Sequence, residues 1–292
     1  MKLGETELVE LVNIEKKFNL SNHIYAKVEN TNPTGSIKDR TAFNMLMDYK
    51  EKGMLKNGTV VVEATSGNTG ISLAYFSKEL GYSAIIVMPD NVSIQRKEII
   101  ESYGGKVILV SGGMKECNEK AEQLIKENKN SFIFGQFDNL SNPMAHYKTT
   151  GPEIYKQCPY VDCIFAGAGT GGTISGIGKF IKEKNPDIKI VAIEPLESPL
   201  LTKGVSGPHL IQGIGANFVP KTLLKEYIDE VVTVEGKASI EMARTIRAEE
   251  KLDIGISSGA ALLGALNYLK QNNLNGKNIV VIFPDKGDRY SW

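Results

Sequence analysis

One lysine in this chain stands where an amine could act as a nucleophile. The stretch Asn32-Pro33-Thr34-Gly35-Ser36-Ile37-Lys38-Asp39-Arg40 delivers Lys38 to the start of a helical pattern that runs over 41–52 and stops at Gly53. Pro33 and Gly35 are turn formers, and Ser36 is a good N-cap. A lysine in a first helical turn lies at the positive end of the helix dipole, which disfavours its charged form. An amine so placed is easier to deprotonate and suits attack on a carbonyl, so Lys38 is read as the covalent anchor of a cofactor. A solvated surface lysine near a helix end shares this local pattern, and other stretches must decide between the two.

Two further loops carry hydrogen-bond donors. A strand predicted over 161–166 runs into Gly167-Ala168-Gly169-Thr170-Gly171-Gly172-Thr173 and then a helix. Backbone N–H groups at such a helix start attract a phosphate, and missing Cβ atoms let a ligand come close. Gly167, Gly169 and Gly172 satisfy G-x-G-x-x-G, and Glu194 ends the next predicted strand where a ribose-binding acid would stand, the pattern of a dinucleotide site. A single phosphate held by Gly169 to Thr173 is the competing reading, and a tight turn without ligand is a third. After the strand predicted over 59–63, Thr65-Ser66-Gly67-Asn68-Thr69-Gly70 presents hydroxyls, an amide and helix-start N–H groups. These suit a carboxylate or a polar ring substituent.

The elements that must hold these loops follow a regular alternation. Apolar runs bounded by turn residues alternate with helical patterns, the signature of an α/β protein whose largely parallel sheet is covered by helices on both faces. Strands are predicted over 24–29, 59–63, 83–88, 106–110, 131–134, 161–166, 188–194, 230–234 and 278–283. Helices are predicted over 95–103, 115–127, 237–252 and 258–270, with others following each of the three loops. The polar stretch 135–143 reads as a crossing between domains. The stretch 195–220 is long for a connection, and Leu200, Leu201, Leu210, Ile211 and Phe218 predict that it is ordered.

Composition narrows the classes. A chain of 292 residues suffices for one large or two ordinary domains. Its 34 basic and 34 acidic residues balance, so no overall field favours nucleic acid or an anionic membrane. Cys117, Cys158 and Cys163 form neither a C-x-x-C pair nor an even framework, which points to a reducing compartment. His23, His146 and His209 lack metal-ligand spacing, so no metal is expected. Met1 opens onto polar Lys2-Leu3-Gly4-Glu5-Thr6 without a signal-peptide pattern, and no apolar run has the length of a membrane span. A cytoplasmic protein is therefore expected.

In combination, the lysine, asparagine and glycine stretches stand in the order seen in the cysteine synthase (O-acetylserine sulfhydrylase) and cystathionine β-synthase family. This is a branch of the fold type II pyridoxal phosphate enzymes. Further matches include Met88-Pro89, Gln136-Phe137, Thr149-Thr150-Gly151-Pro152-Glu153-Ile154, Gly207-Pro208-His209, Ile211-Gln212-Gly213-Ile214-Gly215-Ala216, Gly255-Ile256-Ser257-Ser258-Gly259-Ala260 and Gly287-Asp288-Arg289-Tyr290. The resemblance covers nearly the whole chain. It departs where Glu7 replaces the usual proline of the opening motif and where the chain stops at Trp292, without the longer tail of many relatives.

The resemblance implies a tryptophan synthase β-like fold with two domains, each having a mainly parallel sheet. The smaller, over 31–140, would carry Lys38 and a substrate-carboxylate loop; the larger, 1–30 plus 141–292, would carry the phosphate loop and Ser257. Pyridoxal 5'-phosphate would be anchored on Lys38, which also moves the Cα proton, with Asn68 at its ring oxygen. Gly169, Thr170, Gly171, Gly172 and Thr173 would hold its phosphate, which favours the monophosphate reading of that loop, and Ser257 would meet its pyridine nitrogen. Thr65, Ser66, Asn68, Thr69 and Gln136 would bind the substrate. The implied reaction is β-replacement, making L-cysteine from O-acetylserine and sulfide through an α-aminoacrylate. Sulfide release, lanthionine formation and cystathionine formation from cysteine or serine share that intermediate. Gly215-Ala216-Asn217-Phe218 resembles the sulfhydrylase version of the substrate-side loop. The implied assembly is a homodimer, and a partner role toward the serine acetyltransferase tail is the non-enzymatic alternative.

Overall fold

The computed structural model describes residues 2–92 and 94–290. Met1, Ser93, Ser291 and Trp292 lie outside them, and with them the expectations placed on the two chain ends. The chain begins with β1 (Leu8–Glu10), α1 (Val12–Lys17), β2 (His23–Val28) and α2 (Lys38–Glu51). It continues through β3 (Val60–Ala64), α3 (Asn68–Glu79), β4 (Ser83–Pro89), α4 (Ile94–Ser102), β5 (Lys106–Val110), α5 (Met114–Glu127) and β6 (Ser131–Ile133). Then come α6 (Ser141–Lys148), α7 (Thr150–Gln157), β7 (Cys163–Gly167), α8 (Gly172–Lys184), β8 (Lys189–Pro195) and α9 (Leu200–Lys203). Strand β9 (Glu230–Val234), α10 (Gly236–Glu250), α11 (Ile256–Gln271) and β10 (Asn278–Phe283) complete it.

Two compact units divide the chain. One comprises the residues up to Ile37 together with those from Asn142 onward; the other is Lys38–Ser141. Residues 31–37, grouped with the smaller domain on sequence, thus cluster with the larger unit.

The larger unit is built on a sheet of order β1-β2-β10-β7-β8-β9. Only β1 runs antiparallel, to β2; the other pairings are parallel. Strand β10 is nearly all apolar, as expected for a central parallel strand covered on both faces. Its alternation divides two cores. Ile279, Val281 and Phe283 face a cluster with Ala243 and Ile246 of α10 and Ala260 and Ala265 of α11. Val280 and Ile282 face one with Ile154 of α7 and Ile174, Ile177 and Ile181 of α8. Burying each such large aliphatic side chain contributes about 1.5–3 kcal/mol, which holds the helix starts in register with the strand ends.

The smaller unit has a parallel sheet of order β5-β4-β3-β6. Helix α5 covers one face, packing Cys117 and Ala121 against Val62, Ala64 and Val87. Strand alternation turns Val61 and Glu63 to the other face.

The structure adds elements that propensity hides. Helices α6 and α7 each carry a proline in the first turn, Pro143 and Pro152, where a missing N–H costs nothing. Read locally, Asn-Pro and Gly-Pro look like breakers. The three-residue β1 and six-residue α1 are too short to show a period. The long stretch 195–220 is described throughout and includes α9. Glu7, at the departure from the family pattern, is exposed. Among the described residues no helix is long and apolar enough to cross a membrane.

Candidate active site

The larger unit gathers three loops at the carboxyl ends of neighbouring parallel strands, the edge where open α/β sheets bind ligands. Strand β2 leads towards the Lys38 turn, β10 ends beside the start of α11, and β7 opens into the glycine loop; β10 pairs with both of the others.

The glycine loop is shaped by crowding. Gly171, the N-cap of α8, has φ +77°, and a Cβ there would lie 2.6 Å from Leu223 Cδ1. A Cβ on Gly169 would overlap the Gly213 carbonyl, and one on Gly172 the Asn142 side chain. Thr170 Oγ accepts from Asn142 Nδ2 at 3.1 Å and from Gly172 N–H at 3.2 Å, leaving the hydroxyl hydrogen to be donated. Thr173 Oγ lies 3.3 Å from His146 Nε2, whose Nδ1 is 2.9 Å from Thr150 Oγ. Sequence reasoning set His146 aside and did not mark Asn142; both are buried supports behind the loop. Helix geometry turns the first N–H groups of α8 outward, and its first turn contains no acid to oppose an anion.

Glu194 answers the dinucleotide reading. It is buried, and its two oxygens accept from Leu201 N–H at 2.7 Å, Thr202 N–H at 3.0 Å and Thr202 Oγ at 2.5 Å. The residue spaced like a ribose-binding acid is the cap of α9.

The Lys38 turn is tied to the end of β10. Ile37 N–H donates to Pro284 O at 2.8 Å, Lys286 N–H donates to Gly35 O at 3.2 Å, and Ser36 bridges Asp285. Gly35 has φ +85°, and a Cβ on it would lie 2.9 Å from Lys286 Cδ. The same Asp285 accepts through its carbonyl from Gly255 N–H at 3.1 Å, and Gly255 is the N-cap of α11. Ser257, in the first turn of α11, is buried. The residue before Lys38 and the helix start bearing Ser257 therefore share one anchor, Pro284-Asp285. The expected N-cap role of Ser36 is corrected: α2 begins at Lys38, and the fully buried Ser36 Oγ finds no hydrogen-bond partner among the described residues. The tertiary bridge to Asp285 fixes Ser36 one residue too early to cap.

In the smaller unit, β3 ends in Thr65-Ser66-Gly67 and α3 starts at Asn68. Thr69 Oγ donates to Gln136 Oε1 at 2.6 Å, and both side chains are buried. Gly67 N–H donates to Thr65 Oγ at 3.3 Å, and Arg96 Nη1 to Ser66 O at 2.6 Å. The structure thus brings together the asparagine loop and Gln136, far apart in sequence. Behind them lies Glu63, read on sequence only as the end of a strand, whose Oε2 accepts from Gly135 N–H at 2.9 Å. Burial pushes its carboxyl up to about 7, opposed by hydrogen bonds from Gly135 and Gln136. An acid inside an apolar parallel strand is the signal that could have marked it.

A model of the family described as pyridoxal-phosphate dependent enzyme matches residues 1–285. The chain belongs to this family. Within the pyridoxal-phosphate dependent enzymes it is 45% identical over 300 aligned positions to the cysteine synthase of Buchnera aphidicola subsp. Schizaphis graminum, covering 99% of this chain and 92% of that relative. A hydrogen sulfide-producing enzyme from Fusobacterium nucleatum superposes with a TM-score of 0.95 at 43% identity, covering 99% of this chain and 96% of that one. A cysteine synthase from Entamoeba histolytica does so with a TM-score of 0.95 at 38% identity, covering 99% and 87%. The cofactor of the family is pyridoxal phosphate, and residues 169–173 fit its phosphate group, with outward N–H groups, hydroxyls and no carboxylate.

Proposed function

We propose that the enzyme catalyses β-replacement, forming L-cysteine from O-acetylserine and sulfide. The observation that carries this reading is the shared anchor at Pro284-Asp285, which fixes the residue before Lys38 and the helix start that presents Ser257. In this reading Gly169, Thr170, Gly171, Gly172 and Thr173 hold the cofactor phosphate, Ser257 faces the pyridine nitrogen and Asn68 the ring oxygen. When bound, the cofactor supplies the electron sink that acidifies the substrate Cα–H. Lys38 anchors the cofactor, takes up the Cα proton and returns it at Cα after acetate has left Cβ and sulfide has added there. Thr65, Ser66, Asn68, Thr69 and Gln136 orient the substrate through its carboxylate. Ser257 is a hydroxyl, so it leaves the ring less electron-poor than a carboxylate partner would, favouring β-chemistry over transamination.

The decisive experiment is a product assay on the pyridoxal phosphate-loaded enzyme, offering O-acetylserine with sulfide in parallel with cysteine alone. Cysteine formed from the first supports the proposal; no product from O-acetylserine overturns it. A second reading, sulfide release from cysteine, is favoured by the likeness to the Fusobacterium enzyme and needs the same proton carrier. Sulfide from cysteine alone, faster than cysteine from O-acetylserine, would select it.

Three finer readings accompany this one. A homodimer follows from the prevalence of two-fold assemblies. The carboxylate-binding loop suits the C-terminal carboxylate of a serine acetyltransferase tail. Three buried free thiols, Cys117, Cys158 and Cys163, accord with a reducing cytoplasm.

A further inference from the structure

Gly207-Pro208-His209 stands apart from the residues assigned to cofactor and substrate, yet its histidine touches backbone that packs on the glycine loop. His209 Nε2 lies 3.0 Å from the carbonyl oxygen of Gly215. Gly215 has φ +69°, and a Cβ on it would lie 2.6 Å from His209 Nε2 and 2.8 Å from Pro195 Cγ. The ring therefore rests directly on bare backbone. A carbonyl only accepts, so Nε2 carries the ring hydrogen and donates it. The other tautomer would set a lone pair of Nε2 against the carbonyl. It would also bury an N–H at Nδ1, an atom with no hydrogen-bond partner among the described residues.

From Gly215 the contact passes to the glycine loop. Gly215 N–H donates to Ala168 O at 2.9 Å, and Ala168 N–H donates to Ile193 O of β8 at 2.9 Å. A Cβ on Gly169 would overlap the Gly213 carbonyl, and one on Gly167 would lie 2.5 Å from Ile214 Cγ2. Residues 213–215 thus lie edge to edge with 167–169. Gly215 is held on both sides, by Ala168 through its N–H and by His209 through its carbonyl.

His209 is itself firmly mounted. Gly207 N–H donates at 3.1 Å to the Oγ of buried Ser198, and Ser198 N–H donates to Pro195 O at 3.1 Å. On the other side, a Cβ on Gly236, the first residue of α10, would lie 3.2 Å from Leu210 Cβ. Gly236 N–H donates to Glu197 Oε1 at 2.7 Å. The end of β8 and the start of α10 thus fix the residues on either side of the ring, and the ring fixes Gly215. In a site made of backbone N–H groups, no side-chain rotation can make good a displaced Gly169. We propose that His209 is a positioning residue for the cofactor phosphate: its Nε2–H holds Gly215, and Gly215 holds Ala168 and Gly169 where the phosphate loop starts. The inference rests on the reading that residues 169–173 receive that phosphate.

The pair His209→Gln and His209→Met isolates the donor. A glutamine Nε2 can take the place of the imidazole Nε2 and donate to Gly215, whereas methionine has similar length and no donor. Equilibrium dialysis of the loaded, full-length enzyme against falling concentrations of pyridoxal phosphate gives the cofactor affinity of each. His209→Gln should stay within about twofold of wild type, and His209→Met should bind roughly fivefold more weakly, as expected for the loss of one neutral hydrogen bond. Thr173→Ala, which removes a hydroxyl from the phosphate loop itself, should weaken binding as well. If Thr173→Ala weakens binding while the two His209 variants agree with each other, the role of the His209 hydrogen bond falls and the phosphate loop stands. If Thr173→Ala binds the cofactor like wild type, the phosphate reading falls and takes the proposal with it. Should His209→Met fail to fold, the tautomer decides. A nitrogen-15 histidine spectrum of the loaded wild type, with His209→Gln identifying the ring among the chain's 3 histidines, supports the proposal if Nε2 carries the hydrogen and overturns it if Nδ1 alone does. Failure of both variants to fold would make His209 a residue of the fold at large and overturn the positioning role.

Discussion

The glycine loop after β7 and the asparagine loop after β3 are built alike, each a turn from a parallel strand into a helix whose first N–H groups face outward. They differ in what supports them. Residues 169–173 contain no ionisable side chain, and their shape is set by close backbone approaches to Asn142, Gly213 and Leu223. The asparagine loop instead rests on side chains, with Thr69 donating to the buried Gln136, and it follows a strand whose Glu63 carboxyl is raised by burial. A site defined by backbone geometry suits a group that stays bound through turnover, whereas one defined by side-chain donors can change its hydrogen bonding when a substrate arrives.

The strongest way to break this contrast is Gly172→Ala, whose added methyl would overlap Asn142. It should cost about 3 kcal/mol of stability and lower cofactor affinity, measured by denaturant unfolding and by titration with pyridoxal phosphate. A variant as stable as wild type would show that the loop relaxes more than its packing suggests.

A comparable effect is expected from Glu63, with a pH signature. Its folded pKa, about 7, lies above the ordinary carboxyl value, so its contribution to stability is fully present below the unfolded pKa and lost as pH rises through the folded one. The stability of wild type relative to Glu63→Gln should therefore fall by on the order of 3 kcal/mol between about pH 4.5 and about pH 7, then level off. Unfolding curves that keep a constant separation across that window would contradict the buried-carboxyl account.

Smaller changes sharpen the contrast. Thr69→Ala should raise KM for O-acetylserine about tenfold with little change in kcat, by removing one hydrogen bond to a charged ligand. Asn142→Ala, which removes a support of Thr170, should weaken cofactor binding by about 1 kcal/mol and leave the KM for O-acetylserine unchanged. Equal effects of these two variants on substrate and cofactor would erase the distinction between the loops.

Much of the scaffold was legible locally. Strands β5, β9 and β10 fall at 106–110, 230–234 and 278–283, where apolar runs meet turn residues; in β10, a central strand, burial on both faces leaves a continuous apolar record. Lys38 does open a helix, and Gly53 with φ +71° does follow its end. The alternation of elements, the three donor-bearing loops and the glycines among them are properties of neighbouring residues, so the chain alone determined them. What the side chains around those loops bond to was decided elsewhere. Ser36 looks like a cap until β10 brings Asp285 beside it, Glu194 looks like a ligand acid until α9 folds onto it, and Glu63 looks like a strand end until Gly135 closes over it. In each case the partner reaches its place only when the sheet assembles. A hydrogen-bonding group then takes its role from the nearest buried partner, and local sequence pattern carries no record of that partner.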